Sequence, residues 1–104
     1  MEHNGIRQYS TAELKTLLED KTTQVIDVRT PEEYAEGHIP NVPLHPMQEV
    51  ADWINGLQPD KSYVFVCRSG ARSQRVAEFL KANGFSEVAN YDGGMLAWDG
   101  ELVK

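Results

Sequence analysis

The sequence predicts an α/β protein in which helices cover both faces of a small, mainly parallel sheet of about five strands. Short apolar segments rich in β-branched residues alternate along the chain with segments of helical periodicity. The connections are short, and the strand candidates are apolar throughout, as in strands buried on both faces. We therefore expect a three-layer α/β/α arrangement in one domain spanning residues 1–104, with its core at about 6–102.

The first third of the chain contains two strand candidates separated by a helix. Residues 6–9 predict a short edge strand. Ser10 and Glu13 match the capping-box pattern, and leucines at helical spacing continue that helix over 10–19. The segment 23–28 is rich in β-branched residues, which predicts a buried strand.

The middle of the chain begins with a short helix over 30–37, with Thr30 as its cap and proline in its first turn. A proline-rich connection follows, in which 41–44 is a candidate for a very short strand. Apolar residues at helical spacing predict a helix over 47–57.

The last third carries the clearest signals. An apolar run over 62–66 predicts a strand, and 73–84 predicts a helix that ends at a glycine. A final strand is expected at 86–91, followed by one or two helical turns within 92–100.

Composition excludes several classes of protein. The chain has 40% hydrophobic and 25% charged residues and a formal net charge of −6, which argues against binding to nucleic acid or to anionic membranes. We expect no signal peptide, no membrane helix and a monomer. A single cysteine permits no internal disulfide and no multi-cysteine metal site, so we expect a cytoplasmic location and no metal or cofactor.

The single cysteine, Cys67, follows the clearest strand directly, where ligands bind in parallel sheets. Three of the ten basic residues lie nearby, at Arg68, Arg72 and Arg75, so an acidic chain is locally basic around its thiol. This contrast favours a small anionic substrate. The alternative is that Cys67 is simply a small buried hydrophobic residue.

The loop after Cys67 has the composition of an anion-binding turn. Gly70 is suited to a positive φ, successive N–H groups can form a nest, and the next helix contributes its positive end. Such surroundings favour a thiolate, which is the nucleophilic form of cysteine. No histidine adjoins Cys67 in sequence, so we expect electrostatic activation.

Four motifs occur in an order that resembles the rhodanese-type sulfurtransferases. "DVRTPEEYAEGHIP", "NVPL", "CRSGARS" and "GGMLAW" resemble the early motif, the segment after it, the active-site loop and the closing motif of that family. The resemblance covers about residues 6–102. One departure is that "GHIP" runs directly into "NVPL", three residues fewer than in the common family pattern.

The resemblance implies a sulfurtransferase in which Cys67 accepts a sulfane sulfur, holds it as a persulfide and passes it on. Thiosulfate is the implied donor, and cyanide or a thiol is the implied acceptor, with a sulfur-relay protein as a further candidate partner. The implied roles are persulfide binding by the loop amides and donor binding by Arg68 and Arg72. The loop residues concerned are Arg68, Ser69, Gly70, Ala71, Arg72 and Ser73.

Three other functions compete with this one. Cysteine phosphatases and arsenate reductases of similar chemistry use Cys-x5-Arg loops, whereas Cys67 and Arg72 form the shorter Cys-x4-Arg. A non-catalytic binding or regulatory module, or a carrier acting within a complex, is the remaining alternative. The presence of Cys67 and its neighbouring arginines argues against the hypothesis of a non-catalytic module.

Several further residues are candidates for the pocket or its surroundings. We expect structural roles for Asp27, accepting hydrogen bonds at a strand end, for Arg29, pairing with Glu33, and for His38 in its turn. Gly93 and Gly94 are expected to pass close to the active-site loop, and Met95 and Trp98 either line the pocket or pack in the core. We expect His3, His45 and the carboxylates of Glu32, Glu33 and Glu36 to be solvated.

Overall fold

The structure is a computed structural model that describes all 104 residues. It contains one five-stranded sheet flanked by helices. The sheet order is β1-β2-β5-β4-β3, in which β1 is antiparallel to β2 and the other pairs are parallel. No helix is long and apolar enough to span a membrane. The elements are β1 (Glu2–His3), β2 (Ile6–Tyr9), α1 (Thr11–Leu18), β3 (Thr23–Asp27), α2 (Pro31–Glu36), α3 (Val50–Trp53), β4 (Ser62–Val66), α4 (Ala71–Ala82), β5 (Val88–Tyr91) and α5 (Gly94–Ala97).

The first two predicted helices, α1 and α2, begin with the expected capping boxes. The Ser10 hydroxyl accepts from the Glu13 amide at 3.2 Å, and the Glu13 carboxylate accepts from the Ser10 amide at 2.8 Å. Thr30 and Glu33 form the same reciprocal pair ahead of α2. Each pair satisfies amides that have no partner within the helix, and thereby fixes where the helix begins.

The region between β3 and β4 is less regular than predicted. The expected helix over 47–57 is divided into a 3-10 turn at Met47–Glu49, the short α3 and a second 3-10 turn at Ile54–Gly56. Neither the first turn nor α3 has a side-chain cap, which leaves the first amides without that support. The expected strand at 41–44 is a single bridge from Leu44 to Asp27, because prolines interrupt the hydrogen bonding of this segment.

The N-terminal hairpin was not predicted. β1 pairs with β2 through a turn in which Asn4 and Gly5 both have positive φ, at 53° and 79°. Asn-Gly is a strong hairpin signal, but the flanking residues are too polar and too few to suggest strands. At the other strand boundaries, β5 begins two residues later than expected, and α4 begins two residues earlier.

Alternation along β4 divides the core between the two faces of the sheet. Tyr63, Phe65 and Cys67 belong to one buried cluster, which α4 and the segment 47–57 cover. Val64 and Val66 belong to a second cluster, with Leu14 from α1 and Tyr91 from β5. Opposite faces therefore receive alternate residues, and Cys67 lies on the α4 side.

Candidate active site

Cys67 lies where β4 ends and the turn into α4 begins. The three residues between Cys67 and α4 include Gly70, whose φ of 93° is the left-handed conformation that the sequence predicts. A Cβ atom at Gly70 would lie 2.1 Å from the carbonyl oxygen of Asp92, so this position has no room for a side chain. The loop therefore depends on glycine for both its conformation and its close approach to the segment after β5.

The sulfur atom of Cys67 is completely buried and accepts two hydrogen bonds. The Gly70 N–H donates to Sγ at 3.1 Å, and the Ser73 hydroxyl lies 3.2 Å from Sγ. Ser73 is also fully buried and lies in the first turn of α4. Both donors and the start of α4 are therefore groups that can bind negative charge at this sulfur.

The segment after β5 holds the backbone of the same loop. Met95 N–H donates to the Cys67 carbonyl at 2.9 Å, and Leu96 N–H donates to the Arg68 carbonyl at 3.0 Å. Gly94 has a φ of 62°, and a Cβ there would lie 2.4 Å from the Arg68 oxygen. Gly94 thus makes the close approach to the loop that the sequence suggests, and Gly93 precedes it at the start of α5.

The two arginines of the loop differ in their surroundings. Arg72 donates to both carboxylate oxygens of Glu33, at 2.8 and 2.9 Å, and these bonds lower the pKa of Glu33 to about 2. The same bonds raise the pKa of Arg72, and the nearby charge of Cys67 adds a smaller contribution. Arg68 is exposed and forms no ion pair, so its guanidinium is free to meet an anion.

The expected pairing of Arg29 with Glu33 is wrong. Arg29 instead forms a buried pair with Asp27, with its Nη2 2.9 Å from the nearer carboxylate oxygen, and also donates to the Gly37 carbonyl at 2.8 Å. The two residues are two positions apart at the end of β3, and the guanidinium reaches from there to the carbonyl of Gly37 at the end of α2. The Asp27–Arg29 pair therefore links the end of β3 to the end of α2. The expectation that Glu33 is solvated is also wrong, because both of its carboxylate oxygens accept from Arg72.

The histidines have two different environments. His38 is half-buried, stacks on Tyr34 with ring centroids 3.6 Å apart, and has Nδ1 2.9 Å from the Tyr34 carbonyl oxygen. His45, expected to be exposed, is half-buried against Trp53, and burial lowers the pKa of its imidazole. His3 is exposed, as expected. The contacts of His38 are those of a scaffold residue.

Met95 and Trp98 pack away from the sulfur. Both side chains contact the cluster on the face of the sheet opposite Cys67. Trp98 also lines a groove of about 870 Å³ beside the shortened 39–43 segment and the start of β3. These two residues therefore pack in the core and do not line a pocket at the sulfur. Their cluster includes Val64 and Val66, which point to the face of the sheet opposite Cys67.

Sequence reasoning missed the buried amides beneath the loop. Asn90 in β5 donates from Nδ2 to the Gly70 carbonyl at 3.1 Å and to Gln8 at 2.9 Å. Gln8 in turn donates to Gln74 of α4 at 2.7 Å. The only available signal was a polar residue inside an otherwise apolar strand.

No group of three or more His, Cys, Asp or Glu residues is arranged to hold a metal ion.

Comparisons with known proteins agree with this arrangement. The family model described as "Rhodanese-like domain" matches residues 10–101. A protein of Bacillus subtilis (strain 168) named "Putative sulfurtransferase YtwF" is 46% identical over 97 residues, covering 92% of this chain and 93% of that protein. The "Thiosulfate sulfurtransferase GlpE" of Pseudoalteromonas translucida is 31% identical over 95 residues, covering 91% and 90% of the two chains.

A solved structure shows the same fold. The crystal structure of a rhodanese-like domain protein from Staphylococcus aureus has a TM-score of 0.85 and 45% sequence identity, covering 94% of this chain and 97% of that one. The family model spans residues 10–101, which include β3, β4, β5, the Cys67 turn and the closing glycine segment. With its fold, its motif order and its relatives in agreement, the chain belongs to the rhodanese-like domain family.

Proposed function

We propose that the chain is a thiosulfate sulfurtransferase that carries sulfur on Cys67. The observation that supports this function best is the environment of Sγ, which is fully buried and accepts hydrogen bonds from Gly70 N–H and Ser73 Oγ. An anionic sulfur is stabilised there without a neighbouring base. A relative named thiosulfate sulfurtransferase gives independent support.

In the first step the Cys67 thiolate attacks the outer sulfur of thiosulfate. A new S–S bond forms to Sγ, while the S–S bond of thiosulfate breaks and its electron pair leaves with sulfite. The products are a cysteine persulfide anion and sulfite, so total charge and atoms are conserved. The negative charge moves to the outer sulfur, where loop N–H groups between Arg68 and Ser73 and the start of α4 are suited to receive it.

In the second step a thiophilic acceptor attacks the outer sulfur of the persulfide. Cyanide takes that sulfur to give thiocyanate, and a thiolate takes it to give a new persulfide. In either case the S–S bond to Sγ breaks, and its electron pair restores the Cys67 thiolate. Each step is an exchange between sulfur atoms, and needs no further redox partner.

The loop arginines contribute differently to donor binding. Of the two loop arginines, Arg68 is the one that forms no ion pair, and its exposed guanidinium is proposed to attract the thiosulfate dianion. Arg72 is proposed to act on the sulfur through its positive field, since two of its N–H groups are engaged by Glu33. Burial of Sγ favours small donors over bulky ones.

The test is to incubate the reduced protein with thiosulfate and record its intact mass, with Cys67→Ser as the control. We expect the wild type alone to gain one sulfur atom, and we expect cyanide or a thiol to remove it. Steady-state production of thiocyanate then establishes turnover. A small aryl phosphate in a parallel assay measures phosphatase activity, which we expect to be absent.

Two results would argue against the proposal. Failure of a reactive, reduced Cys67 to gain sulfur from thiosulfate would exclude thiosulfate as its donor, and other persulfide donors would then be compared. Failure with all of them would favour a non-catalytic binding module. Loading without multiple turnover would instead indicate a persulfide carrier that acts with a partner.

A further inference from the structure

Asn90 lies behind the active-site loop, and its side-chain amide reaches the residue that supplies a hydrogen bond to the sulfur. It is the third residue of β5 and is 2% exposed. Its Nδ2 atom donates to the Gly70 carbonyl at 3.1 Å and to Gln8 Oε1 at 2.9 Å. Asn90 therefore connects the central sheet directly to the turn that contains the sulfur.

The conformation of Gly70 joins these contacts to Cys67. With φ at 93° and ψ at −8°, the Gly70 carbonyl points away from the Gly70 nitrogen. The N–H accordingly donates to Cys67 Sγ on one side, at 3.1 Å, while the carbonyl accepts from Asn90 on the other. Because both groups flank the same α-carbon, a displacement of Gly70 as a whole changes both hydrogen bonds.

We infer that Asn90 is a positioning residue for the sulfur site: by holding the Gly70 carbonyl, its amide fixes the Gly70 N–H on the sulfur of Cys67. Asn90 also donates to Gln8, from which the buried network continues to Gln74 without a direct hydrogen bond between the side chains of Gln74 and Asn90. Gln8 Nε2 donates to Gln74 Oε1 at 2.7 Å, and Gln74 Nε2 donates to the His3 carbonyl at 2.9 Å. The inference deepens the proposed function, on which its consequence for the persulfide rests.

The hydrogen bonding of the Asn90 side chain is incomplete, which is unusual for a buried residue whose role is only to stabilise the fold. The Oδ1 atom of Asn90 is buried and has no hydrogen-bond partner, which is an unfavourable arrangement for stability. Replacing Asn90 by alanine removes this unpaired acceptor. The Gly70 carbonyl still accepts from the backbone N–H of Gln74 at 3.2 Å. Because the substitution also leaves the buried Gln8 Oε1 without its donor, the stability of the variant is measured beside its sulfur chemistry.

The experiment compares Asn90→Ala with Gln74→Ala, which is a matched control. Gln74 belongs to the same buried network, but its side chain forms no hydrogen bond with Gly70. For each purified variant, three quantities are measured below its unfolding transition: the rate of Cys67 alkylation by iodoacetamide between pH 5 and 10, the Gly70 amide proton shift, and sulfur loading from thiosulfate. Cys67→Ser identifies the part of the shift that depends on the sulfur.

For Asn90→Ala we expect alkylation near pH 7 to be about fivefold slower, since a hydrogen bond to a charged acceptor is weakened. The Gly70 amide proton should move upfield, and the loaded persulfide should lose its sulfur faster. In Gln74→Ala, the alkylation profile and the Gly70 shift should stay near those of the wild type. Asn90→Gln, which keeps the amide but lengthens the side chain, should recover only part of the rate.

An unchanged alkylation profile and Gly70 shift in folded Asn90→Ala would overturn the inference. The inference would also fail if the alkylation rate fell equally in both alanine variants and in proportion to their loss of stability. That result would assign Asn90 a structural role only. If the wild type gains no sulfur from thiosulfate, the proposed function fails, yet alkylation and the amide shift still decide the role of Asn90. If the wild type and Asn90→Ala load equally well and keep sulfur equally long, only the inference fails.

Discussion

Arg72, in the first turn of α4, binds both carboxylate oxygens of Glu33, in the first turn of α2, at 2.8 and 2.9 Å. Glu33 also accepts from the Thr30 amide at 3.0 Å and so caps its own helix. One carboxylate therefore fixes the start of α2 and joins it to the helix that follows the Cys67 loop. A bidentate, partly buried pair of this kind contributes more than an exposed ion pair.

We predict that Glu33→Gln lowers the free energy of unfolding at pH 7 by about 1 kcal/mol. Glutamine can still cap α2, so the loss reports mainly the charge. Because the native pKa of Glu33 is depressed to about 2, its contribution is present above about pH 4.5 and is lost as the pH falls towards 2. Urea unfolding of both proteins from pH 3 to 7 measures the difference.

Glu32→Gln is the matched control, because Glu32 lies in the same turn but is exposed and forms no ion pair. Its unfolding free energy should stay within about 0.5 kcal/mol of the wild type across the range. A Glu33→Gln deficit that does not shrink as the pH falls would show that the Arg72 ion pair is not its source.

Gly94→Ala should destabilise the protein by about 3 kcal/mol or more, since left-handed backbone and steric overlap both disfavour alanine. A Cβ at Gly94 would lie 2.4 Å from the Arg68 oxygen and 2.8 Å from the Cys67 oxygen. Gly84→Ala is the control for backbone conformation, because Gly84 has a φ of 96° and open space around it. It should cost only about 1–2 kcal/mol, and equal costs in denaturant unfolding would contradict the proposed contact.

The sulfur site was largely predictable because most of it is local in sequence. Cys67, Gly70 and Ser73 lie on one strand-to-helix turn, whose geometry follows from glycine and the start of α4. Glu33 lies 39 residues from Arg72, and their pairing depends on how α2 packs beside α4. Sequence periodicity contains no information about that packing, so the nearer Arg29 was the expected partner.

The secondary structure was predictable in the longer elements, where the hydrophobic periodicity is clear, and less predictable in the short ones. β4 and α4 are long enough for burial and helical spacing to identify them, whereas β1 has two exposed residues. Asn90 shows a different difficulty. Its neighbours in β5 predict a buried strand, but only the arrangement of β2, β5 and the loop places its amide under Gly70.

Arg68→Ala should raise the KM for thiosulfate about fivefold with little change in kcat, if this exposed guanidinium binds the donor before and during reaction alike. The effect should decrease as ionic strength rises, since exposed charges are screened. Arg75→Ala is the control, because Arg75 is also exposed and lies one turn into α4, and it removes the same net charge. Equal KM increases in both variants would indicate a general field instead of a contact at Arg68.

Ser73→Ala should slow alkylation of Cys67 at pH 7 by about fivefold, because it removes one of the two hydrogen bonds that favour an anionic sulfur. Ser73 Oγ lies 3.2 Å from Sγ, and Ser73 is fully buried, so water does not replace the lost hydroxyl. Sulfur loading from thiosulfate should decrease in parallel, measured by intact mass at early times. Ser86→Ala, a change at an exposed serine without hydrogen-bond partners, should leave both rates unaltered. If Ser73→Ala alkylates and loads at the wild-type rates while remaining folded, the hydroxyl donates elsewhere in solution and Gly70 alone supports the charged sulfur.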